Sequence, residues 1–439
     1  MDEPSTSTIH VVRRQAKLIS ISVLSGPDVG REPPVVGISL RVGTGEDADL
    51  RLHDPTVSRL HCELVIEGAL IRVRDLASKN GTWISGVRAN DVALPGAARL
   101  QLGATTLDVR LTQREVHTEI YEGGPQLGQL LGQSVPMQRL FARMIRLGAT
   151  SEPVLIHGES GSGKELVARA LHELGPRKGK PFVIVDGAAL SQSLAELELF
   201  GHGRGAFTGS HGERAGAFER AHGGTLFLDE VGELPLDLQP RFLRAVEDST
   251  VQRLGDRARR QVDVRLVAAT HRALPAMVNQ GTVREDLYHR LAVFELAVPP
   301  LRDRGDDVAR IAHAFLDGMG ITEPSVRHTL ERELAARAGY AWPGNVRELR
   351  NFVRRLAVLG EVGEPGRVPA TEPEAGPGPR MDLPFHEAKQ QAIDRFEREY
   401  CGQLLDEAGG NISEAARRAG VNRGHLSEML KRLGAKRSG

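Results

Sequence analysis

One short segment constrains the fold of this chain more than any other: GESGSGKE at 158–165. It fits the pattern G-x-x-x-x-G-K, follows the apolar run VLIHG and leads into the helical stretch ELVARALHEL. The glycines let backbone N–H groups surround phosphate oxygens, the helix start adds positive potential, and Lys164 supplies a point charge. A chance Gly-rich turn would lack this strand–loop–helix context. The segment therefore predicts a phosphate site at the end of a buried strand.

The spacing of apolar residues predicts three different folds along the chain. In residues 17–112, short alternating runs such as LISISVL (18–24) are separated by turn residues, which predicts an antiparallel all-β sandwich. In residues 128–300, apolar runs alternate with helix-length segments, which predicts βαβ units and a parallel sheet. Residues 301–360 are helical in pattern and predict a small α-helical lid.

The remaining segments predict connections and a second helical domain. Residues 1–16 show no periodicity and are interpreted as a disordered leader, and residues 113–127 as a linker. Residues 361–382 are rich in Pro and Gly, which predicts a flexible linker. The helical pattern of residues 383–439, with a local excess of basic side chains, predicts an independent all-α domain.

Composition excludes several classes of protein. Hydrophobic residues make up 40% and charged residues 26% of the 439-residue chain, which excludes a wholly disordered protein. No apolar run approaches the length needed to cross a bilayer. Cys62 and Cys401 are isolated and give no disulfide framework or zinc site, and the acidic, polar N-terminus does not resemble a secretion signal. We therefore expect a cytoplasmic protein with no membrane partner.

A pair of carboxylates ends the apolar run GGTLFLDEV at 223–231. Behind a phosphate-binding loop, Asp229 is a candidate ligand for Mg²⁺, and Glu230 is a candidate base that polarises the attacking water. The alternative is a solvated strand end without a catalytic role.

With these motifs in place, residues 128–360 resemble the AAA+ ATPase domain of bacterial enhancer-binding proteins that activate sigma-54 RNA polymerase. The resemblance implies ATP as substrate, a first sensor at Thr270 and a second sensor at Arg347 within AWPGNVREL. Glu165 departs from the Ser or Thr that usually follows the lysine. The implied nucleotide-binding residues of the loop are Gly158, Glu159, Ser160, Gly161, Ser162, Gly163, Lys164 and Glu165.

The most specific part of the resemblance is ELFGHGRGAFTGS at 198–210, which is similar to the loop that couples ATP hydrolysis to remodelling of the sigma factor. An exposed Phe in such a loop suits a protein contact, although a simple Gly-rich turn is the alternative. Ser210 replaces the usual Ala. The implied sigma-54 contacts are Gly205, Ala206, Phe207, Thr208, Gly209 and Ser210.

A further similar segment, VREDLYHRL at 283–291, implies that Arg284 and Arg290 reach the nucleotide of an adjacent subunit. Cations at that position stabilise the charge that develops during phosphoryl transfer. The resemblance therefore implies a homo-oligomeric ring, typically a hexamer. Asp186 stands where this family commonly has an Asn that controls the catalytic Glu.

The N-terminal region resembles a forkhead-associated (FHA) domain over VGTGEDADLRLHDPTVSRLHCEL (42–64) and DLASKNGTWISG (75–86). FHA domains bind phosphothreonine peptides, and the resemblance implies contacts from Ser58, Arg59 and Asn80. Thr44 occupies the position where many FHA domains have a phosphate-binding Arg, and Arg41 is three residues out of register. Arg59 alone could hold the phosphate, the affinity for the phosphate could be low, or the domain could bind an unphosphorylated partner.

The C-terminal segment LLDEAGGNISEAARRAGVNRGHLSEMLKRLG (404–434) resembles a Fis-type helix-turn-helix. The recognition helix would enter the major groove with its first residues, while later basic residues contact phosphates. A solvated basic helix is the alternative. The implied DNA-binding residues are Arg423, Gly424, His425, Lys431 and Arg432.

These features predict a transcriptional activator with an FHA sensor, an ATP-driven ring and a tail that binds upstream DNA. Its expected partners are sigma-54 RNA polymerase, enhancer DNA and a threonine-phosphorylated protein or segment of its own chain. A first alternative is a DNA-tethered phosphoprotein adaptor whose AAA+ domain is only a nucleotide-dependent assembly switch. A second is a generic AAA+ unfoldase, which the DNA-binding module disfavours.

Overall fold

A computed structural model describes residues 9–30, 35–189, 192–204, 212–360, 412–418 and 424. The chain forms two compact units, residues 1–362 and 363–439. Helices α1 to α10 belong to the first unit, and α11 (Ile412–Arg418) belongs to the second. Across the described residues, no helix combines the length and apolar character required to span a bilayer.

The first domain of unit 1 is a β-sandwich, as the alternating runs predicted. Its two sheets have the strand orders β2-β1-β11-β10-β7-β8 and β4-β3-β5-β6-β9, and every pair is antiparallel except β3–β4. Alternate side chains such as Ile19, Ile21 and Leu64 are buried between the sheets. The strands are β1 (Ile9–Ser25), β2 (Val35–Gly37), β3 (Ser39–Gly43), β4 (Leu50–Arg51), β5 (Cys62–Glu67), β6 (Leu70–Asp75), β7 (Thr82–Ile84), β8 (Val87–Ala89), β9 (Asp91–Pro95), β10 (Ala97–Leu102) and β11 (Thr105–Tyr121).

The predictions of a disordered leader and of a first linker are wrong for the residues that form the long pair of β1 and β11. Residues 9–16 are not a disordered leader, because they extend β1 and pair with residues 114–121, which lie in the segment interpreted as a linker. Tyr121, at the far end of this pairing, is buried with its ring 5.9 Å from that of Phe141 in an edge-on arrangement. Packing onto the next domain, which sequence periodicity does not report, therefore stabilises the end of the long strand pair.

The second domain is a three-layer α/β fold with a five-stranded parallel sheet of order β15-β18-β21-β14-β22. The central strands of this sheet are buried along almost their whole length because helices cover both faces. The sheet strands are β14 (Val154–His157), β15 (Phe182–Asp186), β18 (Thr225–Asp229), β21 (Arg265–Thr270) and β22 (Phe294–Ala297). Short antiparallel pairs are β12 (Gln126–Leu127) with β13 (Leu130–Leu131), β16 (Gly201–His202) with β17 (Arg214–Ala215), and β19 (Thr250–Gln252) with β20 (Arg259–Gln261).

Helices surround this sheet and form the lid that follows it. The lid has its own apolar core, in which Trp342 lies edge-on to Tyr340 and Phe352. The helices around the sheet are α1 (Val135–Gly148), α2 (Lys164–Glu173), α3 (Gln192–Phe200), α4 (Ala217–Arg220), α5 (Gln239–Glu247), α6 (Leu274–Asn279) and α7 (Glu285–Leu291). The lid helices are α8 (Asp307–Gly318), α9 (Pro324–Ala336) and α10 (Asn345–Leu359), so the predicted all-α lid is confirmed.

Candidate functional site

The predicted phosphate loop connects β14 to α2 at the carboxyl end of the parallel sheet. Gly163 precedes α2 with a φ of 106°, a left-handed conformation that favours glycine. Gly161 also has a positive φ, and a Cβ there would lie 2.5 Å from the carbonyl oxygen of Gly344 in the lid. Both glycines are therefore required by the loop geometry.

Lys164 and Glu230 lie at the centre of the site. The Lys164 side chain is 7% exposed, and its Nζ donates a hydrogen bond to the carbonyl oxygen of Gly158 at 3.1 Å. The same Nζ lies 3.4 Å from Glu230 Oε1. The structure thus places the predicted lysine of the loop beside the predicted catalytic carboxylate.

Residues at the end of β21 fix the orientation of Glu230. Glu230 Oε2 accepts hydrogen bonds from the Thr270 hydroxyl at 3.4 Å and the His271 backbone N–H at 3.2 Å, and it lies 2.7 Å from His271 Nδ1. Asp229, one residue earlier, accepts the Glu230 backbone N–H at 3.1 Å. His271 was not predicted from the sequence, although its position directly after Thr270 at a strand end was a usable signal.

The two adjacent carboxyl groups are shifted in opposite directions. Burial, followed by the charge of Glu230, raises the pKa of Asp229. Burial also disfavours the charged form of Glu230, but the hydrogen bonds from His271 and the charge of Lys164 outweigh it and lower the pKa of Glu230. Glu230 is therefore held as a carboxylate that can accept a proton or orient water.

The lid contacts the phosphate loop through the segment that contains Arg347. The Val346 backbone N–H donates to the Gly161 carbonyl at 3.0 Å, and an Arg347 guanidinium N–H donates to the Ser160 hydroxyl at 2.9 Å. The predicted second sensor therefore lies against the loop.

Asn345, which was not predicted from the sequence, forms further hydrogen bonds between the lid and the phosphate loop. It is fully buried, and its Nδ2 donates to Glu159 Oε2 at 3.0 Å and to the Ser160 carbonyl at 3.1 Å. Its Oδ1 accepts the Leu301 backbone N–H at 2.8 Å. The residue has a φ of 52°, which Asn tolerates better than most side chains. Asn345 therefore fixes the lid to the loop.

Replacing Asn345 with alanine is expected to lower the free energy of unfolding of the ATPase domain by about 2 kcal/mol, because it leaves the buried Leu301 N–H and Ser160 carbonyl without this partner. Urea denaturation measures the change. Asn351→Ala, at an exposed position of the same helix, is the matched control and should change the free energy of unfolding by less than about 0.5 kcal/mol. Equal stabilities of the two variants would contradict the role assigned to Asn345.

Two arginines next to the lid also contact the loop. Arg302 forms a bidentate ion pair with Glu159 at 2.7 and 3.0 Å. The buried Arg304 donates to the carbonyl oxygens of Ser162 and Pro299. Neither was predicted from the sequence, because the contacts with Glu159 and Ser162 join residues more than 140 positions apart.

Other predicted nucleotide-site residues lie in different surroundings. Glu165 faces away from the centre and pairs with Arg169 at 2.8 Å. Asp186 accepts the Ala188 backbone N–H at 2.9 Å, whereas Glu230 is bound by the residues described above. The Ser162 hydroxyl is buried and has no hydrogen-bond partner among the described residues. It is a donor available to a phosphate oxygen.

Of the two predicted trans-acting arginines, Arg284 directly precedes α7 and Arg290 lies within it. Arg284 is exposed and pairs with Asp286 at 2.8 Å. Arg290 is half-buried, and its Nε has no hydrogen-bond partner within the described chain. The structure does not bring either residue to the nucleotide site of its own chain, where Lys164 and Glu230 meet.

Two predicted sets lie largely outside the described residues. These are the sigma-54 loop residues Gly205, Ala206, Phe207, Thr208, Gly209 and Ser210, and the DNA-contact residues Arg423, His425, Lys431 and Arg432. Gly424 is described as helical and exposed. The strands on either side of the loop, β16 and β17, pair through Gly201 with Ala215 and His202 with Arg214.

The predicted phosphopeptide residues lie on adjacent loops of the sandwich. The Lys79 backbone N–H donates to Ser58 Oγ at 3.0 Å, and Asn80 Nδ2 donates to the Thr56 carbonyl at 2.7 Å. His61, buried behind them, accepts the Ser58 N–H and contacts the carbonyl of Gly81. These loops are thus held in a fixed arrangement.

The structure shows what Thr44 contacts and whether Arg41 takes the place of the arginine that is absent there. The Thr44 backbone N–H donates to the Ser58 carbonyl at 3.1 Å. Arg41 does not replace the missing arginine, because its guanidinium binds Glu295 and the Tyr288 hydroxyl in the α/β domain. Of Arg41 and Arg59, only Arg59 lies on the predicted phosphate-binding loops.

The parallel sheet, glycine loop, strand-end carboxylates and helical lid define a P-loop ATPase of the AAA+ class. Residues 130–297 match the family described as "Sigma-54 interaction domain", and residues 302–366 match "AAA+ ATPase lid domain". The chain belongs to the family of transcription regulators that carry a sigma-54 interaction domain. The predicted class of enzyme, an ATPase, is confirmed by these two matches.

The relatives that support this assignment are transcription regulators. An anaerobic nitric oxide reductase transcription regulator, NorR, of Aeromonas salmonicida is 37% identical over 88% of this chain and 79% of its own length. The nitric oxide reductase transcription regulator NorR2 of Cupriavidus necator is 41% identical over 70% of this chain. This chain spans 64% of the length of the Cupriavidus relative.

The N-terminal domain gives different matches. Residues 22–113 match the family described as "Inner membrane component of T3SS, cytoplasmic domain". A solved structure described as "Structural and functional analysis of phosphothreonine-dependent FHA domain interactions" is 29% identical, with coverage of 22% of this chain and 97% of that chain and a TM-score of 0.20.

Proposed function

We propose that this chain is a sigma-54-dependent transcriptional activator, which binds upstream DNA and uses ATP hydrolysis to remodel sigma-54 RNA polymerase into an open complex. The observation that carries the proposal is the convergence of Lys164, Glu230, Thr270 and Arg347 at one edge of the parallel sheet, in a chain that matches a sigma-54 interaction domain.

In this proposal the loop N–H groups and Lys164 hold the phosphates of ATP. Glu230, kept ionised and oriented by His271, positions the attacking water and accepts its proton. Arg347 reaches the γ-phosphate from the lid, so that hydrolysis changes the contact between lid and loop.

Asp229 is the proposed Mg²⁺ ligand. Its raised pKa reflects burial and a neighbouring negative charge, and a divalent cation bound there would offset both. Among the described residues no cluster of three or more metal-binding side chains exists, which suits a cation held mainly by phosphates and water. The cation would neutralise charge on the transferred phosphoryl group.

Arg284 and Arg290 are proposed to act on the nucleotide of a neighbouring subunit. Both lie away from the site of their own chain, and the buried Nε of Arg290 lacks a partner among the described residues. A phosphate oxygen of the neighbour would supply that partner. The proposal therefore includes a ring, with a hexamer as the expected state.

The segment between β16 and β17 is the proposed contact with sigma-54. Pairing of these strands holds the two ends of the segment together, which suits a projecting loop carried on a rigid base. Phe207 and Thr208 would make the contact.

Two further partners belong to the proposal. The C-terminal segment that includes Arg423 and Lys431 is proposed to bind enhancer DNA. Arg59 is proposed to bind a phosphothreonine of a partner or of the chain itself.

Thr208→Ala is expected to abolish ATP-dependent open-complex formation at a sigma-54 promoter while retaining ATP hydrolysis, because in this proposal the loop transmits the work of the ring whereas Lys164 and Glu230 carry out hydrolysis. Purified full-length protein, sigma-54 RNA polymerase and promoter DNA are the components, and permanganate reactivity of unpaired thymines is the measurement. Thr322→Ala, at an exposed position just before the lid helix α9, is the control that should retain both activities.

Open complexes formed equally by Thr208→Ala and wild type would contradict the proposed loop contact. A second outcome would favour the alternative function, a DNA-tethered phosphoprotein adaptor. In that outcome the protein hydrolyses ATP, but no variant forms open complexes, including the variants described below in which the N-terminal domain is released.

A further inference from the structure

We infer that the phosphate-binding arginine of the sandwich also holds the trans-arginine helix α7, so that a phosphothreonine ligand and α7 compete for Arg59. This inference rests on the proposed function, because it assigns a regulatory consequence to the sandwich and to α7. It names an internal carboxylate, Glu285, as the occupant of the phosphate position in the docked state.

The central contact is an ion pair between the two domains. Arg59 donates to both carboxylate oxygens of Glu285, with distances of 2.7 and 2.8 Å, in the bidentate geometry that guanidinium groups also form with phosphates. One turn further along α7, His289 Nδ1 lies 3.3 Å from Asp47. The sandwich therefore contacts consecutive turns of the same helix.

A second, more buried contact anchors this arrangement. The guanidinium of Arg41 binds both carboxylate oxygens of Glu295 on β22 and donates to the Tyr288 hydroxyl at 2.9 Å. Glu285, Tyr288 and His289 are spaced so that they share one face of α7. Side chains of the sandwich occupy that face.

Apolar packing and hydrogen bonds continue the interface onto α6. Leu60 and Leu76 of the sandwich are buried in the same apolar cluster as Leu274 and Met277 of the ATPase domain. Asn279 Nδ2 donates to the carbonyl oxygens of Leu60 and Leu76, at 2.6 and 2.7 Å. Because Leu60 directly follows Arg59, docking fixes the backbone of the phosphate-binding loop next to α7.

The contacts make two states mutually exclusive. Glu285 and His289, which the sandwich contacts, are the sequence neighbours of the proposed trans-acting Arg284 and Arg290. A sandwich docked there would obstruct the approach of a neighbouring subunit to this helix, so the docked state disfavours a productive ring. A phosphothreonine carries more negative charge than Glu285 and offers three acceptor oxygens, for which Arg59 and the Ser58 hydroxyl are donors. Its binding at Arg59 would displace Glu285 and release α7.

A substitution at Arg41 can test docking of the sandwich without changing the proposed ligand-binding residues. Arg41 anchors the sandwich without lying on the phosphate-binding loops, whereas Arg59 takes part in both interactions. Arg41→Ala should therefore release α7 and keep ligand binding, while Arg59→Ala should weaken docking and abolish ligand binding. This difference provides the test.

The experiment compares full-length wild type with Arg41→Ala, Arg59→Ala and Glu285→Gln. Arg110→Ala, which removes an exposed ion pair with Asp108 inside the sandwich, is the matched control. Sedimentation velocity and ATP turnover per subunit are measured over a range of protein concentrations. Fluorescence anisotropy measures binding of a degenerate phosphothreonine peptide library and of its unphosphorylated counterpart.

Arg41→Ala is expected to raise ATP turnover at low protein concentration by about 5- to 100-fold, the usual range of coupling between sites, and to assemble at lower concentration. Arg59→Ala, whose ion pair is more exposed, should raise turnover by about two- to fivefold and bind no phosphopeptide. Glu285→Gln should increase phosphopeptide affinity, because it weakens the internal competitor. Arg110→Ala should match wild type.

The inference is overturned if Arg41→Ala and Glu285→Gln leave assembly, turnover and phosphopeptide affinity at wild-type values. That result leaves the proposed activator function intact if wild type opens promoters. If no variant binds the phosphopeptides, the phosphothreonine part of the proposed function fails, and the turnover of Arg41→Ala alone decides whether docking is inhibitory. Arg59→Ala alters an exposed side chain and keeps the comparison valid if Arg41→Ala does not fold.

Discussion

Lys164→Ala is expected to reduce ATP turnover by about 10²- to 10³-fold, the usual effect of removing one preorganised donor from a phosphoryl-transfer site. The side chain is almost fully buried, and only the Gly158 carbonyl and Glu230 lie within its reach in the contacts described. Alanine would remove the cation that faces the phosphates and also leave Glu230 without a compensating charge. Both ATP affinity and the rate of hydrolysis should therefore fall.

A coupled assay of phosphate release measures the turnover of Lys164→Ala, and a fluorescent ATP analogue measures its affinity. Lys180→Ala, on the exposed surface of the same domain, is the control and should retain wild-type turnover. A Lys164→Ala protein with wild-type turnover would mean that the site described is not where hydrolysis occurs.

Glu230→Gln is expected to separate nucleotide binding from hydrolysis. The amide has nearly the same shape as the carboxylate but cannot accept the proton of the attacking water, so turnover should fall by about 10²- to 10⁴-fold while ATP still binds. Bound nucleotide should accumulate as ATP, which quenched single-turnover experiments would detect.

The pH dependence follows from the direction of the pKa shift. Because the pKa of Glu230 lies below that of an ordinary Glu, the residue stays ionised from neutral pH down into the acidic range. Its contribution to turnover should be lost only when the pH falls through that lowered pKa.

Glu233→Gln is the matched control for Glu230→Gln, because Glu233 is a nearby carboxylate that pairs with Arg272 outside the centre of the site. Its turnover should stay within about twofold of wild type. Equal losses in the two variants would indicate a general electrostatic effect and contradict the assignment of Glu230 as the base.

Local patterns were sufficient to predict the β-sandwich, the parallel α/β sheet and the helical lid. The uninterrupted apolar run of β18 and the alternating run of β1 predicted a buried parallel strand and a half-buried antiparallel strand, because each follows from which faces are covered. The pairing of residues 9–16 with 114–121 was not predictable in this way, since its far end depends on the contact of Tyr121 with another domain.

The candidate site was predictable where one motif supplies the chemistry. Lys164, Asp229 and Glu230 follow from a loop and a strand end, which are local features. Asn345 and His271 act through hydrogen bonds to residues distant in sequence. Such contacts exist only after the sheet and lid have packed, so no local pattern reports them.

The contact between Arg41 and Glu295 joins residues 254 positions apart. From the sequence, Arg41 was only an arginine displaced from its expected position. The structure assigns it to the interface between domains, which leaves Arg59 as the arginine proposed to hold a phosphate once Glu285 is displaced.

The nucleotide dependence of promoter opening tests the central claim most directly. Full-length protein, sigma-54 RNA polymerase and a promoter with its upstream sequence are incubated with ATP, with a non-hydrolysable ATP analogue or with ADP, and permanganate reactivity of the melted region is measured. We predict melting with ATP alone and none with the analogue or ADP. Equal melting with ATP and the non-hydrolysable analogue would contradict a mechanism in which hydrolysis drives remodelling.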